Sequence, residues 1–200
     1  MFRRPILAIP IMAAVSLMVP VASHAQFSES FNFLKAVRDR DGDKVTKTIN
    51  QPGSVIVDTR DAGSGEAAVH IVTRGRDAVW LNFLLSRGAK TDTRDNTGTT
   101  ALLIASQLRW GEGAEALLKR GANVNLGNSS GETPLIRAVQ NRDLPMVRIL
   151  LTGGADANKP DTSSGLSARD YAARDTRSAA ILKAITEARP AVRREIAGPR

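Results

Sequence analysis

Three groups of residues have types and spacings that could do chemistry. Asp39, Asp41 and Asp43 alternate like the opening of a calcium loop, but such a loop has glycine at its sixth position and a bidentate acid at its twelfth, where this chain has Lys44 and Asn50. Gly63-Ser64-Gly65-Glu66-Ala67-Ala68 follows Val55-Ile56-Val57 as a relaxed dinucleotide fingerprint; no acid stands at the later distance that would complete a βαβ unit. His70 and His24 are the only two histidines and cysteine is absent, so neither a zinc ligand set nor a cysteine or serine triad has its members. Carboxylates for acid–base work are scattered over turns and exposed helix positions, where solvation accounts for them. No catalytic residue, cofactor or metal is therefore expected.

The large side chains divide differently. Trp80 and Phe83 lie at helical spacing beside Leu84, which predicts core packing for both. Trp110 falls between two predicted helices, flanked by Arg109 and Gly111. Tryptophan and arginine are enriched at binding hot spots, yet tryptophan is also mostly buried on average; interface and local packing both stay open for Trp110.

The elements that position these residues come from a repeat. Gly88-Ala89, Gly121-Ala122 and Gly154-Ala155 are 33 residues apart, each after a leucine pair (Leu84-Leu85, Leu117-Leu118, Leu150-Leu151). A second series, Gly65, Gly98, Gly131 and Gly165, steps by 33, 33 and 34 and keeps phase with the first. Within one unit Thr133 can cap a helix with Pro134 at its first position, where the missing N–H costs nothing. That helix is expected to end near Asn141, a second follows over Leu144 to Leu151, and Gly153-Gly154 supplies a helix-closing residue. Each unit is then a helical hairpin plus a turn. Helices this short need neighbours to be stable.

Gly131-Glu132-Thr133-Pro134-Leu135, Gly98-Thr99-Thr100-Ala101-Leu102, Gly121-Ala122-Asn123-Val124-Asn125 and Gly154-Ala155-Asp156-Ala157-Asn158 resemble the ankyrin repeat. The resemblance covers residues 31–187 and implies an all-α solenoid of about five helical-hairpin units with projecting β-turn fingers, degenerate at both ends. It departs at Gly65-Glu66-Ala67, which lacks the capping threonine and the proline and predicts a looser unit. It departs again at Arg169, a polar residue suited to an end unit. The extra residue of the last step is expected in Thr162-Ser163-Ser164, where a surface turn absorbs it. His70 takes the histidine position of the ankyrin pattern, which implies a structural hydrogen-bonding role.

The resemblance also implies a partner surface on the fingers and first helices: Glu66 and Arg74; Asn96, Thr99 and Gln107; Ser129, Glu132, Gln140 and Asn141; with Arg94 and Arg142 nearby, and Arg109 beside Trp110. This set is polar and mixed in charge. A protein partner fits it, whereas tracking of nucleic acid would need a basic stripe of one sign.

The ends read as separate segments. Arg3-Arg4, the uncharged run Ile6 to Ala22 and Ser23-His24-Ala25 form a signal peptide over 1–25, with a twin-arginine route a weaker possibility and an uncleaved anchor the alternative. The run is shorter than a spanning helix and carries Pro10 and Pro20. The repeat domain then occupies 26–187, followed by a basic tail over 188–200. Export to the bacterial periplasm, a monomeric state and no stable membrane insertion after cleavage are the expectations. The formal charge of +8 loses only Arg3 and Arg4 on cleavage, so binding to acidic lipid or nucleic acid through the tail is the second functional expectation.

Overall fold

A computed structural model describes residues 22–188. Residues 1–21 of the expected signal segment over 1–25, and residues 189–200 of the expected tail over 188–200, lie outside the described residues. Among the described residues ten helices form five pairs: α1 (Ala22–Arg38) with α2 (Gly42–Ile49), α3 (Ala68–Arg74) with α4 (Ala78–Ser86), α5 (Ala101–Gln107) with α6 (Gly111–Lys119), α7 (Pro134–Gln140) with α8 (Leu144–Thr152), and α9 (Ala168–Arg174) with α10 (Ala179–Glu187). First helices stack on first helices and, from α4 onward, second on second, giving two layers with the core between them. Leu102, Ile136, Leu84, Leu117 and Leu150 are fully buried there. None of the seven- and nine-residue helices would persist alone. Helix α1 is continuous through the expected cleavage point between Ala25 and Gln26.

The starts follow from the caps. Thr100, Thr133 and Ser167 accept from the backbone N–H groups of Leu103, Ile136 and Asp170 at the starts of α5, α7 and α9. Asp41, Asp77 and Asp143 do the same for α2, α4 and α8, each at 3.1 Å. Asp41 is thus a helix cap, bridged also to Lys44 at 2.7 Å, while Asp39 pairs with Lys35; the apparent calcium loop is a helix–turn–helix junction. Gly63-Ser64-Gly65 lies in the first finger, after a short 3-10 turn over Ile56–Asp58 rather than a strand. Among the described residues no cluster of three or more His, Asp or Glu is placed to hold a metal, and no helix is long and apolar enough to cross a membrane.

The departures have local explanations. Ala67 has no side-chain acceptor for the start of α3, but Nδ1 of His70 accepts the Ala67 N–H at 3.0 Å. Arg169 is half-buried and donates through Nε to Asn158. The extra residue lies in the last finger as expected: that turn runs from Asp161 to Gly165, where its predecessor runs from Asn128 to Gly131. Burial works to raise the Asp161 pKa, but N–H groups and hydroxyls of Ser163, Ser164 and Tyr171 outweigh it and hold the carboxyl far below its usual range.

Candidate protein-binding surface

The fingers form one backbone ladder. Asn96 N–H donates to Ser64 O at 3.0 Å, Ser129 N–H to Thr97 O at 2.9 Å, and Thr162 N–H to Ser130 O at 2.9 Å. Gly65, Gly98 and Gly131 share nearly one conformation, with φ of 73°, 77° and 73°. A second ladder links the segments that lead into the fingers: Lys90, Asn123 and Asp156 donate their N–H groups to the side chains of Asp58, Asp92 and Asn125, each at 2.8 Å.

A third ladder runs along the turns between paired helices and is made of arginine. Arg40, Arg76, Arg109 and Arg142 all have positive φ, from 50° to 57°, a conformation that costs a non-glycine residue about 1–2 kcal/mol. Each side chain reaches the next unit. Arg40 meets Asp77 at 2.6 Å and Arg142 meets Asp175 at 2.6 Å, while Arg76 and Arg109 donate to the carbonyls of Leu108 and Asn141. Leu108 and Asn141 are the C-terminal caps of α5 and α7, so a cation there also satisfies the negative end of the helix dipole. Asp175, held by Arg142 first and then by the Arg177 N–H, has its pKa lowered to about 2.

These ladders reassign much of the surface expected from sequence. Arg109 and Arg142 are ties between units. Arg94 belongs with them, donating to Gly127 O at 2.5 Å, and so does Asn96, donating to Gly63 O at 2.8 Å. Asn141 is half-buried, with its amide on the carbonyls of Ser106 and Gln107. Thr99 is buried and is corrected as a contact residue: its N–H and hydroxyl face Asp95 and Thr97, and its carbonyl accepts from His70 Nε2. Glu66 and Arg74 pair with each other at 2.6 Å, and Glu132 pairs with Arg137 at 2.7 Å. Ser129 and Gln140 are exposed and Gln107 half-exposed. The side chains of these three make no internal hydrogen bond among the described residues.

Trp110, left open between interface and local packing, is only 8% exposed and packs locally. It takes the cap position that aspartate fills in α2, α4 and α8, and provides no side-chain cap to α6. Its indole instead lies on Gly113: a Cβ there would stand 2.1 Å from Trp110 Cε3. Glycine inside a helix normally costs about 1 kcal/mol relative to alanine, so Gly113→Ala would ordinarily stabilise. Here displacement of the indole decides the sign. A net loss on the order of 1–2 kcal/mol is expected, with a shift in tryptophan emission; a gain in stability would show that the indole moves aside freely.

Comparison with protein families agrees with this geometry. Residues 97–129 match the ankyrin repeat model, and residues 117–172 match the model for ankyrin repeats in many copies. No curated protein matches the chain. The chain carries ankyrin repeats and folds as an ankyrin solenoid, a class of structure that generally mediates protein–protein interaction.

Proposed function

We propose that this chain is a non-catalytic scaffold of the bacterial cell envelope that holds a partner protein on the face built by its fingers and first helices. The observation that carries this reading is the finger ladder, which sets the exposed positions of successive units in one register on a surface tied together by backbone. A surface ordered before binding loses less entropy when a partner docks. Ser129, Gln107 and Gln140 lie on it with hydrogen-bonding capacity free. The envelope location is supported by the basic start, apolar run and small-residue cut site over 1–25.

Photo-crosslinking in cells tests the surface. A photoreactive residue at Ser129 and one at Gln140 are expected to attach the same protein, while one at exposed Arg148 on α8 attaches none of it. No adduct from the first two positions, or an equal yield from the third, would remove the proposal. Fractionation is expected to recover the chain from the envelope with Gln26 as its first residue. A cytosolic chain retaining residues 1–25 would refute the export part alone.

A further inference from the structure

A second surface lies on the opposite layer, between α2 and α4. Val79 is 78% exposed, one of three large hydrophobic residues exposed among the described residues. With Trp80, Phe83, Gly42 and Thr46 it lines an open, almost wholly apolar cavity of about 190 Å³. Trp80 and Phe83 meet edge to face at 5.9 Å. Both are only half-buried, not in the core as their spacing predicted. The row α4–α6–α8–α10 is closely packed, whereas α2 packs only slightly against α4.

The repeat itself shows that this gap is unusual. Gly111 in α6 is the counterpart of Gly42, and Ile149 in α8 the counterpart of Phe83. A Cβ on Gly111 would meet Ile149 Cδ1 at 3.1 Å, whereas one on Gly42 would meet nothing within 4 Å. The fold closes this junction at its later occurrence and leaves it open at the first. At its end Arg87 lies over the Phe83 ring, 5.1 Å from the centroid, and donates to Asn50 Oδ1 at 2.6 Å. No carboxylate pairs with Arg87 among the described residues. An apolar hollow bordered by aromatic side chains and a cation without a counter-ion has the composition of a binding hot spot.

We infer that the α2–α4 groove docks a protein segment that inserts one bulky apolar side chain over Gly42 and Thr46 and places a neighbouring carboxylate on Arg87. This surface is distinct from the finger face and takes its own partner segment. The apolar side chain supplies the affinity, and the carboxylate completes a charge-assisted hydrogen bond that sets which segments fit.

The test is selection from a displayed library of random twelve-residue peptides on the full chain, with titration of the enriched peptides by tryptophan emission. The wild type is expected to enrich peptides pairing Leu, Ile, Met or Phe with a nearby Asp or Glu. Val79→Lys is expected to weaken them at least tenfold, and Arg87→Glu to reverse the preference toward Lys or Arg. Both positions are exposed, so unchanged thermal unfolding of the two variants shows that the effect is on binding. The inference is overturned if nothing is enriched, if Val79→Lys binds the selected peptides as well as wild type, or if Arg87→Glu leaves the charge preference unchanged. Peptides lost on Gln140→Arg and retained by Val79→Lys would also overturn it while supporting the finger face, so the two readings fail separately.

Discussion

Gly131→Ala is expected to remove about 3–5 kcal/mol of stability, while the same change at Gly165 removes about 1–2 kcal/mol. Both glycines have positive φ, 73° and 69°, so both variants place alanine in the left-handed region at similar cost. They differ in what is stacked on them. A Cβ on Gly131 would lie 2.7 Å from the Thr162 backbone nitrogen, the atom that donates to Ser130 O, whereas one on Gly165 would meet nothing within 4 Å. In the first case the next finger must move and a ladder bond is lost; in the second no further finger follows among the described residues. A domain of this size has roughly 5–15 kcal/mol in all, so Gly131→Ala takes a large share of it. Urea unfolding followed by circular dichroism checks the difference, and equal losses at the two sites would mean that stacking of fingers is not what selects glycine.

The contrast marks what the sequence could and could not disclose. Units, their phase and the helix starts were legible because glycine, proline and capping residues act through the local backbone, and their spacing survives in the text of the chain. The ties between units were harder to see. Arg94, Asn96, Asn141 and Arg142 look like exposed polar variation, the composition of a contact surface, until the neighbouring unit is in place to receive them. A sequence signal did exist for one ladder: Arg40, Arg76, Arg109 and Arg142 recur with steps of 36, 33 and 33, nearly the glycine period. Arginine repeating at a turn that glycine would occupy without strain points to a side chain under a structural demand. Trp110 was ambiguous for another reason. Its burial depends on Gly113, and a glycine three residues along a helix reads as weak propensity until the ring is seen to lie on it. The α2–α4 groove had no sequence signal, because it consists of an absence of packing where the same positions elsewhere are filled.

Stability should fall as pH drops from about 7 toward 5, and His70 should be the cause. The imidazole is fully buried, accepting the Ala67 N–H on Nδ1 at 3.0 Å and facing Thr99 O with Nε2 at 3.1 Å. One nitrogen must accept and the other must donate, which fixes the neutral ring with its proton on Nε2. A second proton would point Nδ1 at a donor. Burial accordingly pushes the pKa below 6.5, with the Thr99 carbonyl and the Asp95 charge offsetting only part of the effect. An unfolded chain takes up this proton near 6.5 and the folded chain only at lower pH, so between the two values unfolding binds a proton and becomes easier. The contribution is constant above the window and declines through it at no more than about 1.4 kcal/mol per pH unit. The carboxylates with lowered pKa, among them Asp61, Asp95 and Asp161, lose their stabilising effect only at more acid pH, below about 4. Urea unfolding of the wild type at about pH 7.5 and 5.5 should therefore show a loss that is absent in His70→Gln. At neutral pH His70→Ala should cost about 3–5 kcal/mol, since it opens a cavity and orphans both the Ala67 N–H and the Thr99 carbonyl. A wild type with equal stability at the two pH values, or a glutamine variant that keeps the slope, would remove His70 from the role of joining its own helix cap to the next finger.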